Sequence, residues 1–316
     1  MLSPHYVVGL DLGGTNVKLA IFKRGFKDII SELQFSTKEF PTKKLLFKKI
    51  IGSIEVIIAD LKLTHSDILG LGIGVPGPVD TKRGLVYYFP NIPGWKNVAL
   101  KKMLETKLKF PIFLDNDVKL MALAELKFGV AKNVKNCLCL TLGTGVGGAL
   151  ILEGKLFRGS SFVAGEIGHI PISLNGPRCN CGGKGCLERF IGNRQILMKA
   201  KQSFGREITL EELSRLAIKG NKKAIAIWQD LSEKLAIALT GLINVFNPQL
   251  IVIGGGLSNA GSTLFTSLRL AIKRRAMKPH LKGLKILKSG LGINSGLIGA
   301  SILVEDSIAK NEKNKN

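Results

Sequence analysis

Gly9-Leu10-Asp11-Leu12-Gly13-Gly14-Thr15-Asn16 is the stretch that decides the fold. It joins two short apolar runs, Tyr6 to Leu12 and Val17 to Phe22, and reads as a β-hairpin whose turn is Gly13 to Asn16. Gly13 and Gly14 let the backbone approach an anion closely, with their N–H groups turned into one concavity. Thr15 adds a hydroxyl donor. Asp11 sits at the strand end, where a carboxylate can hold Mg²⁺ directly or through water. No Lys-Ser/Thr pair follows the glycines, so this is not a Walker loop.

The pattern returns in the second half of the chain. Cys137 to Leu142 is a strand ending in Gly143-Thr144-Gly145, and Gly147 to Leu152 is its returning partner. Thr144 and Gly145 repeat the anion-gripping logic without the acid. Either turn alone could be an ordinary hairpin, since glycine marks turns generally. A third run, Gly254-Gly255-Gly256, follows the apolar strand Leu250 to Ile253, and Gly255 and Gly256 offer bare backbone to a base and ribose. Two such hairpins predict two similar lobes facing each other across a cleft.

Between these landmarks the periodicity alternates. Helical spacing covers 42–63, and a buried strand covers 68–75, stopped by Pro76-Gly77-Pro78. A helix over 98–108 leads to a strand over 112–114. Asp115-Asn116-Asp117 closes that strand and opens a helix over 118–128. After Glu188 the chain is mainly helical, with a long helix over 224–246 and a last one over about 296–308. The fold class is therefore α/β.

The 316 residues suit two lobes, and 45% apolar content is enough for real cores. The net charge is +23, with lysines scattered through the chain. The dense run 310–316 reads as a disordered tail. Neither a signal peptide nor a bilayer-spanning segment is expected. Three of the five cysteines cluster at Cys179, Cys181 and Cys186, interleaved with glycines, which suits a metal in a reducing cytoplasm better than a disulfide framework. Cys137 and Cys139 alternate on a strand and read as inert core thiols. Asp117, at a strand end, suits either a helix cap or a carboxylate aimed at a ligand.

These residues resemble the ROK family, the repressor/ORF/kinase group of sugar kinases in the actin-like ATPase superfamily. The resemblance covers nearly the whole chain. It rests on Leu10 to Thr15, Asp115-Asn116-Asp117, Gly143 to Gly148, Gly165-Glu166-Ile167-Gly168-His169 and Cys179 to Glu188. It implies a two-lobed actin-like ATPase (ribonuclease H-like) fold with a central cleft. The small lobe would be residues 1–116 plus about 296–310, the large lobe 117–295, and the tail 311–316.

The resemblance further implies ATP-dependent phosphorylation of a hexose, glucose first among them, with N-acetylmannosamine or N-acetylglucosamine as alternatives. Asp117 would be the general base. Gly77, Asn91, Asn116, Glu166, His169 and Glu188 would hold the sugar. His169 would complete a structural Zn²⁺ site with the three clustered cysteines. Asp11, Gly13, Gly14, Thr15, Thr144, Gly145, Gly255 and Gly256 would bind Mg-ATP. A homodimer is expected on the same ground, with neither nucleic acid nor membrane as partner. A DNA-binding member would carry a helix-turn-helix ahead of the first hairpin, where only five residues precede Tyr6.

Overall fold

The computed structural model describes residues 5–89 and 95–313. They form two compact units. The first comprises the described residues within 5–89, 95–129, 158–164 and 293–313, and the second 130–157 and 165–292.

The first unit opens with β1 (Tyr6–Leu12), β2 (Asn16–Lys23) and β3 (Ile29–Ser36), followed by α1 (Lys43–Asp60) and β4 (Ile68–Val75). A small sheet of β5 (Val79–Asp80), β6 (Leu85–Tyr88) and β7 (Lys96–Val98) comes next, then α2 (Leu100–Leu108), β8 (Ile112–Asn116) and α3 (Asp117–Phe128). The main sheet has the order β3-β2-β1-β4-β8. β1 pairs antiparallel with β2 and parallel with β4, and β4 pairs parallel with β8.

The second unit contains β9 (Cys137–Leu142), β10 (Val146–Leu152) and β11 (Lys155–Phe157). The helices α4 (Glu188–Ile191), α5 (Asn193–Phe204), α6 (Leu210–Ile218) and α7 (Lys222–Phe246) follow. Then come β12 (Leu250–Gly254), α8 (Ser262–Arg275), α9 (Lys278–Leu281) and β13 (Lys285–Lys288). Its sheet, β11-β10-β9-β12-β13, repeats the first in order and in strand sense. The chain ends in α10 (Ser295–Lys313), which belongs to the first unit.

Glycine explains how α10 seats itself. β4 carries Gly70, Gly72 and Gly74 on one face. A Cβ on Gly72 would lie 1.9 Å from the Ala300 carbonyl oxygen, and one on Gly9 would lie 2.8 Å from that of Leu297. On the helix, a Cβ on Gly299 would lie 1.9 Å from the Leu120 carbonyl oxygen. Backbone meets backbone at each place, which no larger residue permits. The opposite sheet face is apolar, with Leu71, Ile73 and Val75 packed against Leu46, Ile50 and Ile54 of α1 in one core.

Two boundaries differ from the sequence expectation. α3 and residues 158–164 group with the first unit, because α10 grips α3 and because Arg158 pairs with buried Asp115. Residues 311–313, expected as disordered tail, continue α10. Among the described residues no helix is long and apolar enough to cross a membrane.

Candidate functional site

In the first unit the strand ends collect the candidate groups. Asp11 lies near the end of β1, opposite Lys18 in register. Burial pushes its carboxyl above the ordinary carboxylate value, and the Lys18 charge offsets part of that rise. Glycines keep the surroundings open. A Cβ on Gly296 would lie 3.0 Å from Asp11 Oδ2, and one on Gly74 would lie 3.7 Å from Asp11 Oδ1 and 3.6 Å from the Asp117 Cα. Gly74 thus stands between the two acids, on β4, which lies between β1 and β8 in the sheet.

Asp117 is the first residue of α3, and the cap itself is Asn116. Asn116 Oδ1 accepts the Val118 and Lys119 N–H groups at 3.0 and 3.3 Å, while its Nδ2 donates to the Gly77 carbonyl at 3.3 Å. Gly77 sits at φ +86°, with the Tyr88 carbonyl 2.6 Å from where a Cβ would be. Asp117 Oδ1 accepts its neighbour's N–H, Val118 N, at 2.8 Å. The cap duty that sequence could not separate from Asp117 belongs mainly to Asn116.

Three supporting interactions escape a sequence reading. Asp115 is fully buried and takes the Arg158 Nε at 2.8 Å. Lys119, also buried, donates to the Phe162 carbonyl at 2.5 Å. Together they tie 158–164 to both sides of Asn116 and Asp117. Thr37 holds the first glycine turn: its Oγ1 donates to the Gly14 carbonyl at 3.0 Å and its N–H to the Thr15 carbonyl at 2.9 Å. Long sequence separations leave none of these a local signal. Asn91 lies outside the described residues.

In the second unit the glycine turn Gly143-Thr144-Gly145 joins β9 to β10. Glu188, opening α4, accepts the Val146 N–H at 3.0 Å, and a Cβ on Gly145 would lie 2.4 Å from the same Oε2. The Asn193 N–H donates to the Gly143 carbonyl at 2.9 Å. Residues 165–169 are pressed onto β10 by glycines, since Gly165 (φ +101°) meets the Gly148 carbonyl and Gly168 meets that of Val146. Gly255, at φ +79°, leaves only 2.3 Å between a Cβ and the Leu142 carbonyl oxygen, whereas Gly256 faces open space.

The same segment carries His169 to the cysteines. Pro171 bridges to Cys186, and the Leu187 N–H donates to the Ile170 carbonyl at 2.9 Å. Ligand atoms of His169, Cys179, Cys181 and Cys186 all lie within 4.8 Å of one another. His169 Nδ1 stands 3.5 Å from Cys179 Sγ, and the Cys181 and Cys186 sulfurs are 3.6 Å apart. Zinc–sulfur bonds of about 2.3 Å in a tetrahedron put sulfurs about 3.7 Å apart, so the spacing fits that ion. Burial and the neighbouring thiols push Cys186 up to about 12. Hydrogen bonding, led by the Gly183 N–H, draws Cys181 down. With Nδ1 turned to sulfur, the other ring nitrogen of His169 faces Glu166 Oε2 at 3.9 Å. Cys137 and Cys139 are buried side by side, 3.7 Å between sulfurs, apart from this group.

The chain is 32% identical over 331 residues to a glucokinase of Halalkalibacterium halodurans, covering 99% of this chain and 98% of that one. It is 30% identical over 311 residues to a xylose repressor of Caldicellulosiruptor bescii, covering 94% and 77%. A solved ROK family glucokinase from Streptomyces griseus, in complex with glucose and AMPPNP, matches with a TM-score of 0.81 at 28% identity, covering 95% and 99%. The two units with matching sheets are the lobes of the actin-like ATPase fold. The ROK family pattern matches residues 7–307, and the chain belongs to the ROK family.

Proposed function

We propose that this protein transfers the γ-phosphoryl group of Mg-ATP to a hexose, most simply to the 6-hydroxyl of glucose. The observation that carries the reading is the pair of acids flanking Gly74, with Asp117 relieved of most capping duty by Asn116. The family and the glucokinase relatives support it.

In this reading Asp117 accepts the hydroxyl proton as the sugar oxygen bonds to the γ-phosphorus. The bond from that phosphorus to the bridging oxygen breaks, and ADP leaves. Phosphoryl transfer needs positioning and charge stabilisation more than covalent help, so one well-placed carboxylate suffices. Asp11 would hold the Mg²⁺ that accompanies the nucleotide. Gly13, Gly14 and Thr15 in one unit, and Thr144, Gly145, Gly255 and Gly256 in the other, present backbone and hydroxyl groups for the nucleotide. Asn116, Gly77 and Asn91 in the first unit, and Glu166, His169 and Glu188 in the second, supply polar partners for sugar hydroxyls.

His169, Cys179, Cys181 and Cys186 would hold one structural Zn²⁺, which fixes the segments bearing Glu166 and Glu188. All four positions are then protein ligands, so this ion activates no water. Function as a homodimer in the cytoplasm belongs to the same reading.

A coupled ADP-release assay across glucose, mannose, fructose, N-acetylglucosamine and N-acetylmannosamine tests it. Glucose should give the highest kcat/KM. Another sugar ahead would move the substrate assignment, and no turnover with any would overturn the kinase reading.

A further inference from the structure

The charge of this chain is unevenly placed. Residues 234–304 contain nine lysines and arginines and no aspartate or glutamate, and eight of those nine fall within 269–288. That stretch is the end of α8, the short α9 and the strand β13 at the rim of its sheet. Arg274 and Arg275 both pair with Glu233, whose single charge offsets one of the two. Lys273, Lys278, Lys282 and Lys285 are exposed and form no ion pair with any described residue.

Apolar groups share this surface. Leu270 on α8 is 52% exposed and Met277, entering α9, is 57% exposed. Between α8, α9 and β13 lies a cavity of about 460 Å³ whose floor is Ile272, Leu281, Leu284 and Ile286, with Arg269, Lys273 and Lys285 around it. Free cations beside exposed apolar side chains are the two signals that together give stable attachment to a bilayer surface.

We propose that the α8–α9–β13 face of the second unit docks on an anionic phospholipid surface. Lys273, Lys278, Lys282 and Lys285 meet the headgroups, and Leu270 and Met277 enter the interface. This departs from the sequence expectation of no membrane partner, and it needs no spanning helix. A nucleic acid fits the face less well: residues 269–288 hold no Phe, Tyr or Trp on which a base could stack, and the exposed Leu270 and Met277 have no part in phosphate contact. A second copy of this face is disfavoured by repulsion between like charges.

The test is co-sedimentation of the full chain with vesicles of phosphatidylcholine alone or with 30% phosphatidylglycerol. Wild type should partition onto the anionic vesicles at 0.1 M salt, lose most binding at 0.5 M, and ignore the neutral ones. The variant K273Q/K278Q/K282Q/K285Q should lose roughly three orders of magnitude in partitioning. Leu270→Ser with Met277→Ser should lose the fraction that survives high salt. All six positions are exposed, so both variants should keep the wild-type melting temperature. Equal binding by the lysine variant, or no preference for anionic vesicles, overturns the proposal. So does displacement from vesicles by equimolar poly(dT), or a dimer that the lysine substitutions dissociate while lipid binding stays unchanged.

Discussion

Glu188 Oε2 accepts the Val146 N–H at 3.0 Å, so the carboxylate at the head of α4 is fastened to the strand that leaves the second glycine turn. Gly145 makes room for it, with only 2.4 Å from that oxygen to a prospective Cβ. Gly145→Ala must therefore move the end of the flexible Glu188 side chain, and the cost is mainly the Val146–Glu188 hydrogen bond, about 1 kcal/mol. The expected outcome is a melting temperature lower by only about 1–3 °C and a kcat/KM reduced at least tenfold, with KM raised for both sugar and nucleotide. Gly143→Ala, where a Cβ meets nothing within 4 Å, should leave the melting temperature alone. Calorimetry of the two variants side by side checks the contrast.

Asn116 and Asp117 divide two tasks that adjacent residues could have shared. Asp117→Asn removes the proposed base and keeps most of the cap, so kcat should fall about 10²–10⁴-fold with the melting temperature nearly unchanged. Asn116→Ala removes both cap hydrogen bonds and the link to Gly77, and should cost about 1 kcal/mol of stability. Steady-state kinetics with thermal melts on both variants separates chemistry from capping. Undiminished turnover in Asp117→Asn would remove the base from the mechanism.

How far the sequence alone reaches depends on how local each signal is. The two hairpins, the strand over 68–75 and the long helix ending at Phe246 are marked by glycine turns or sustained periodicity, and they stand where expected. The β5-β6-β7 sheet escapes, because strands of two to four residues carry no period. The seat of α10 was written in Gly70 and Gly72, glycines two apart on a strand, but the α10 residues they admit, Val304 and Ala300, are more than 200 residues away. Arg158 could not be matched to Asp115 across 43 positions, so the grouping of 158–164 with the first unit was unreadable. The cysteine cluster was readable because its ligands lie close in sequence, and His169 reaches it through one short pairing with 185–187.

Metal removal should expose an order of reactivity among the clustered thiols. Thiolate is the reacting form, so a lowered value favours alkylation at neutral pH and a raised one suppresses it. Without metal, Cys181 is exposed and drawn below its ordinary value, while Cys186 is buried and pushed up to about 12. Iodoacetamide at pH 7.5 should label Cys181 first and Cys186 last in chelator-treated protein, and none of the cluster in metal-replete protein. Peptide mass spectrometry reads the order, and elemental analysis should find one zinc per chain before treatment. Labelling of the cluster that ignores the chelator would mean that no metal is held there.

Asp11 is the place where stability and activity should oppose each other. Its carboxyl is raised above the ordinary value by burial, despite Lys18. The native state then binds the proton more tightly than the unfolded chain does. Between the unfolded value and the raised native one, the unfolded chain has lost its proton and the native protein has kept it, so stability falls as pH rises through that window. Above the window the ionised Asp11 is a standing cost to the fold. Asp11→Asn should therefore raise the melting temperature at pH 7 and flatten its dependence on pH above the ordinary carboxylate range. The same substitution should abolish most kinase turnover, because the amide no longer attracts Mg²⁺. Melting curves from pH 4 to 8 in the absence of nucleotide decide the point: a variant less stable than wild type at pH 7 would mean that the charge on Asp11 is compensated within the fold, and that Lys18 outweighs burial.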